Sequence, residues 1–222
     1  MSSAAGTSSD PHRLGHGRNE DDNQRDTTGH GQGGPASKRI VVGYGFWIYL
    51  LSDIVLFSAF FAAYAVLAHA TAGGPSGPQI FTRTRVAVET VCLLLSSYCC
   101  GLASLGAERR SQLTTQLSLA ATGLLGAAFL AIELSEFAEL MARGATPTRS
   151  AFLSSFFALV GLHGLHVTIG LLWLGTMMAQ TWVKGFRPAI MRRLLCFSLF
   201  WHALDIVWVG VFSIVYLLGS RA

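Results

Sequence analysis

The chain has 222 residues, of which 51% are hydrophobic and only 13% are charged, and its formal net charge is +4. Soluble domains carry about 25% charged residues, so this composition excludes an ordinary water-soluble globular domain. The basic residues stand singly or in pairs between apolar runs, and this scatter excludes the basic patch of a nucleic-acid-binding protein.

The first segment, residues 1–38, is polar and rich in Gly, Ser, Asp and Asn. It holds almost no large apolar residues, so burial cannot offset the entropy that ordering would remove. We therefore expect a disordered N-terminal tail. The segment also lacks the apolar core of a secretory signal peptide.

The rest of the chain, residues 39–222, is predicted to be one all-α domain, a polytopic membrane bundle of five transmembrane helices. Each of five apolar runs is about 20 residues or longer and can cross a hydrocarbon layer about 30 Å thick. Backbone amides cannot stay unpaired in lipid, so each run is predicted to be a helix. The predicted helices cover residues 44–68, 86–107, 113–141, 151–182 and 193–219.

The positive charges beside these runs predict the orientation of the bundle. With the N-terminus inside, eight Lys and Arg residues flank the helices on the inner side and five flank them on the outer side. Cytoplasmic loops carry an excess of Lys and Arg. We therefore predict that the N-terminus lies inside and the C-terminus outside.

Five ionisable residues lie deep inside the predicted helices, where such groups are unfavourable and are candidates for a function. A helical rise of about 1.5 Å per residue places them at similar depths. Residues three apart share one helix face, as His163 and His166 do, and as His202 and Asp205 do. We hypothesise that these four residues and Asp53 face the interior of the bundle and pair with one another.

The histidines allow three interpretations on chemical grounds. They could ligate haem iron or copper, relay protons, or form hydrogen bonds between helices, which are worth about 0.6 to 2 kcal/mol each in lipid. An H-x-x-H pair is a weak metal signal, and none of the four cysteines forms a C-x-x-C pair. Small residues beside the pair permit close helix approach and favour packing; they are Gly161, Gly164 and Gly170.

A second acidic layer is predicted near the outer ends of the second and third helices. We expect Glu139 to form ion pairs with nearby arginines such as Arg143. The deeper acids could equally be ion-paired or functional; they are Glu89, Glu133 and Glu136.

Four stretches of the sequence resemble subunit III of the haem–copper respiratory oxidases. They are GFWIYLLSDIVLFSAFFAAYAVL, IELSEFAEL, SAFLSSFFALVGLHGLHVTIGLLWL and SLFWHALDIVWVGVFSIVYLLG, in the order found in that family. The match extends from about Gly43 to Gly219. The short first connection and the five-helix length are similar to the quinol-oxidase branch, the cytochrome bo-type ubiquinol oxidases.

The resemblance implies a role without redox chemistry in this chain. Haems and copper would lie in partner subunits I and II, so the chain would hold no metal, no cofactor and no catalytic residue of its own. The family's buried carboxyl would be Asp53 in SDIVLF, and its outer acids would be Glu89, Glu133 and Glu136. The histidine motif GLHGLH would be structural.

The resemblance also implies a location and partners. The chain would contact mainly subunit I, together with subunits II and IV, in the inner membrane of a bacterium, and would hold phospholipid in a cleft. The assembly would oxidise quinol, reduce oxygen to water and pump protons. Two alternatives stay open: a subunit III of a cytochrome c oxidase, and a stand-alone proton-coupled transporter.

Overall fold

The computed structural model describes residues 38–68, 70–71 and 83–218. The predicted tail therefore lies outside the described residues, apart from Lys38. The described chain is helical, and the last helix continues into a short π-helical segment. The elements are α1 (Lys38–Leu67), α2 (Arg83–Glu108), α3 (Gln112–Ala142), α4 (Ala151–Lys184), α5 (Pro188–Val211) and the π segment (Phe212–Leu218).

The prediction of five helices long and apolar enough to cross a membrane is confirmed in the described chain. Helix α1 begins six residues before the predicted start at residue 44. Helix α5 begins at Pro188 instead of residue 193. A proline reads as a loop residue in sequence, but it suits the first helical position, where its missing N–H is not needed.

Helices α2 and α3 both end in a tight turn. At the end of α2, the N–H of Arg110 donates to the carbonyl of Ala107, and the N–H of Ser111 donates to that of Gly106. These two bonds form a Schellman cap, with Arg110 at φ 55° in the left-handed position that glycine usually takes. Helix α3 ends in the same way with Gly144 at φ 75°.

Four of the helices form a closed ring, and the first helix lies outside it. Close backbone contacts join α2 to α3, α3 to α4, α4 to α5, and α5 back to α2. Helix α1 docks mainly through aromatic side chains: the ring of Phe57 lies 5.2 Å from that of His166, and Phe46 lies 5.9 Å from Trp173. An apolar cavity of about 310 Å³ remains between α1 and α5.

The outward faces of the helices are apolar. Val66, Leu124 and Ile206 are more than 70% exposed, and many other large apolar residues are exposed to a smaller extent. Soluble monomers rarely expose such continuous apolar surface. The surface therefore suits lipid or partner helices.

The side chain of Trp201 on α5 packs against two neighbouring helices, α3 and α4. Its ring projects from α5 into a slot between Gly126 of α3 and Gly170 of α4. A Cβ atom added at Gly126 would lie 2.9 Å from the Trp201 ring, and one added at Gly170 would lie 2.8 Å from it. The glycines therefore set how closely the helices approach. Of the three glycines predicted to permit close packing, Gly170 does so.

We expect Gly170→Ala to destabilise the protein by about 1 to 3 kcal/mol, because the new methyl group overpacks the ring slot. The matched control is Gly175→Ala in the same helix, where no atom lies within 4 Å of the added Cβ. That change should be neutral or stabilising by up to about 1 kcal/mol. Thermal unfolding in detergent measures both, and equal effects at the two glycines would contradict the role given to Trp201.

Candidate functional site of buried polar residues

A polar group built from α2 and α5 lies on one side of the ring. The hydroxyl Oγ of Ser97 lies 2.7 Å from Nδ1 of His202, and Asp205 interacts electrostatically with both residues. Oδ1 of Asp205 is buried without a hydrogen-bond partner in the described part of the chain. The group borders an open hollow of about 400 Å³. His202 thus forms a hydrogen bond between helices, which is one of the three interpretations that the sequence leaves open.

The other two histidines, His163 and His166, do not make the contacts that the hypothesis predicts. His163 is fully buried among aromatic rings, 5.3 Å from the ring of Trp208 and 5.8 Å from that of Phe129. Both of its nitrogens lack hydrogen-bond partners among the described residues. Nδ1 of His166 lies 2.8 Å from the carbonyl oxygen of Leu162 in its own helix.

The hypothesis that the five deep residues pair with one another is therefore wrong for His163 and His166. The physical reason is helix geometry. Residues three apart differ by about 60° in direction around the axis, so His163 enters the aromatic core while His166 turns toward Phe57 of α1.

Asp53 lies apart from the histidines. It is half-buried on α1 and borders a narrow gap between α1 and α5, beside Phe57 and Phe200. No hydrogen bond joins Asp53 to a histidine within the described ranges. The hypothesis that Asp53 pairs with them is thus also wrong, because α1 stands outside the ring.

The outer acids form a compact group that spacing alone does not reveal. Glu89 of α2 and Glu133 and Glu136 of α3 are each at most 4% exposed. One carboxylate oxygen from each lies within 4.8 Å of the other two. None of their six oxygens has a hydrogen-bond partner in the part of the chain that is described.

An ion-pair layer covers this acidic group toward the helix ends. Glu139 accepts from Arg85 of α2 and from Arg143 at the end of its own helix. The predicted ion pairing of Glu139 is confirmed. Arg85 also interacts electrostatically with Glu89 and Glu136, so this guanidinium interacts with both the exposed and the buried acids.

The arrangement of the histidines fits helix packing better than metal ligation. His163 is enclosed by rings, and one nitrogen of His166 already contacts a backbone carbonyl. Within residues 38–68 and 83–218, the acidic trio is the only group of at least three His, Cys, Asp or Glu side chains whose ligand atoms converge.

Several hydrogen bonds between helices come from residues that the sequence analysis did not single out. Nε1 of Trp201 donates to Ser96 at 3.0 Å, and Nε1 of Trp208 donates to Thr90 at 3.1 Å. The hydroxyl of Ser96 donates in turn to the carbonyl of Thr122. The available signal was the presence of Ser and Thr inside apolar helices, where such residues join neighbouring helices.

The sequence matches one protein family over the whole described part of the chain. The family model described as cytochrome c oxidase subunit III matches residues 20–220. A cytochrome bo(3) ubiquinol oxidase subunit 3 of Pseudomonas aeruginosa is 49% identical over 211 residues, which cover 95% of this chain and 94% of that protein. The corresponding protein of Pseudomonas putida is 53% identical over 79% of this chain and 84% of its own length. A cytochrome c oxidase subunit 3 of Bacillus sp. strain PS3 is 41% identical over 79% of this chain and 84% of its own length.

We expect Ser97→Ala to destabilise the protein by about 1 to 2 kcal/mol, because His202 loses its hydrogen-bond partner on the neighbouring helix. The matched control is Ser135→Ala on α3, where the hydroxyl is exposed and bonds only to the carbonyl of Ile132. That change should alter stability by less than about 0.5 kcal/mol. Thermal unfolding in detergent provides the comparison, and an equally small effect at Ser97 would argue against the interhelical bond.

Proposed function

The chain belongs to the cytochrome c oxidase subunit III family, and from this membership we propose that it is the non-redox third subunit of a proton-pumping terminal quinol oxidase. Partner subunits would oxidise quinol and reduce oxygen to water with their haems and copper. The observation that carries the proposal is the 49% identity to a ubiquinol oxidase subunit over 95% of this chain.

The use of the polar residues supports a structural role for this subunit. His202 joins α5 to α2, and two tryptophans of α5 donate to hydroxyls of α2. His163 fills an aromatic core, and His166 contacts its own backbone. These contacts stabilise a helix bundle, so the chain would contribute no catalytic residue and would support subunit I, its main partner, beside subunits II and IV.

Phospholipid is the ligand that the cavity between α1 and α5 would accept. Its wall is almost entirely apolar, from Trp47 and Leu50 on α1 to Leu199 and Ile206 on α5. A volume of about 310 Å³ suits part of an acyl chain. A basic segment lies at the end of the cavity that Leu199 lines, around the start of α5; its basic residues are Lys184, Arg187, Arg192 and Arg193. These charges suit anionic lipid headgroups, at about 1 kcal/mol per well-placed charge.

The proposed location is the cytoplasmic membrane of a bacterium, with the N-terminus inside and the C-terminus outside. Five crossings, one for each of the five long apolar helices, would put the two ends of the bundle on opposite sides. The excess of positive charge on the flanks that include Arg109, Arg110 and the Lys184–Arg193 region supports this direction.

One alternative has a specific observation behind it. The 41% identical relative is named as a cytochrome c oxidase subunit 3, so cytochrome c is the competing electron donor. The higher identity and wider coverage of the relative from Pseudomonas aeruginosa favour quinol.

We expect an affinity-tagged form of the chain, purified from its native membranes, to bring haem-containing partners with it. The assembly should oxidise ubiquinol with oxygen and should not oxidise reduced cytochrome c. The chain produced alone should show no haem absorbance, because its histidines are engaged in packing. Oxidation of cytochrome c instead of quinol would favour the alternative donor, and haem bound to the isolated chain would overturn the non-redox role.

We expect Asp53→Asn to leave the initial rate of the assembly close to normal and to shorten its active life, with about a twofold faster loss of activity during turnover. Asp53 borders the gap at which α1 docks, and α1 is held mainly by side chains. The matched control is Asp53→Glu, which keeps the carboxyl group and should retain the parental lifetime. Oxygen consumption followed over many turnovers measures both, and an unchanged lifetime for Asp53→Asn removes Asp53 from the functional residues.

A further inference from the structure

We propose that Glu89, Glu133 and Glu136 form a binding site for a hard divalent cation, best suited to Ca²⁺. The site would lie between the start of α2 and the end of α3. It goes beyond the supporting role in an oxidase, because it assigns a ligand to three side chains that this role does not use.

The first observation is that the trio is buried and unpartnered. Glu133 is 2% exposed, Glu89 is completely buried and Glu136 is 4% exposed. Their six carboxylate oxygens accept no hydrogen bond in the described chain. Desolvated carboxylates without donors are strongly unfavourable. Something else must neutralise them.

The second observation is that the three side chains converge on one point from two helices. One oxygen from each lies within 4.8 Å of the other two. Ca²⁺ binds oxygen at about 2.3 to 2.6 Å, so oxygens on opposite sides of one ion are separated by about 4.6 to 5.2 Å. The spacing therefore allows all three carboxylates to contact a single ion.

The chemistry of the donors selects the type of cation. All three side chains offer only oxygen, which excludes the soft metals that prefer sulfur or nitrogen. Three carboxylates hold six oxygens, within the range of about six to eight that Ca²⁺ accepts. Mg²⁺ retains several waters and demands strict octahedral geometry, which suits a buried, all-carboxylate site less well.

The surrounding charges complete the site. Three carboxylates carry a formal charge of −3, so one Ca²⁺ leaves −1. Arg85 interacts electrostatically with Glu89 and Glu136 and lies where it can balance that residual charge. Its strongest contact is with the exposed Glu139, which Arg143 also binds. The trio is closed off from solvent, because none of its three side chains is more than 4% exposed. Tyr216 of the π segment also lies within electrostatic range of all three acids.

The test measures calcium binding to the purified assembly that contains the full chain, in nanodiscs of phosphatidylcholine so that no anionic lipid binds calcium. After treatment with a chelator, equilibrium dialysis against radioactive Ca²⁺ compares the parent with Glu133→Gln. The parent should bind one more ion per assembly, or bind it at least tenfold more tightly. The matched control is Glu108→Gln, which removes an exposed carboxyl at the far end of α2 and should keep the parental binding within about twofold.

A second variant and a second measurement keep the test decisive if Glu133→Gln does not assemble. Glu89→Gln alters the same site from α2 and should show the same loss. In the parent, EGTA should lower the temperature at which the chain dissociates from the assembly, and added Ca²⁺ should restore it. Equal calcium binding by the parent and the trio variants, or a parent that EGTA does not affect, would overturn the proposal and indicate that protons neutralise the acids.

Discussion

A polar group that enters hydrocarbon can be stabilised only by partners inside the protein, because lipid tails offer neither donors nor acceptors. This constraint explains the internal order of the bundle. The hydroxyls and indole nitrogens of α2 and α5 face one another, as Ser96 and Trp201 do. Gln116 of α3 likewise donates to Thr181 and to the carbonyl of Met178 on α4. Each bond helps to fix the rotation of a helix whose outer surface is otherwise largely apolar.

The same constraint separates two kinds of helix contact in this fold. Helices α2 to α5 approach closely enough for polar side chains and glycines to set their spacing, as the Trp201 slot shows. Helix α1 contributes mainly aromatic rings, whose contacts tolerate small shifts because they need no exact donor geometry. The hydroxyl of Tyr64 reaches only a distant carbonyl, that of Val215, at 3.4 Å. The cavity between α1 and α5 follows from this looser docking.

The sequence predicts which segments form helices, but it does not predict which side of each helix faces the interior of the bundle. Apolar length and the absence of partners in lipid predicted all five spans, because both properties are local. The start of α5 at Pro188 is not predicted, because a proline in a short polar connection indicates a turn as readily as a helix start. The directions of His163 and His166, and the position of Asp53, depend on how each helix is rotated and where α1 stands. Spacing along one helix placed Glu133 and Glu136 together, but only the packing of α2 against α3 brings Glu89 to them.

The three-residue turn between α2 and α3, with Arg110 in its left-handed cap, has a consequence for biogenesis. Three residues cannot span a bilayer, so neither helix can leave the insertion machinery in a direction independent of the other. The two arginines at the tip of the hairpin, Arg109 and Arg110, therefore act together in determining its orientation during membrane insertion. Reversing the orientation of the hairpin would require both guanidinium groups to cross the hydrocarbon together. The orientations of the two helices are therefore set in a single step.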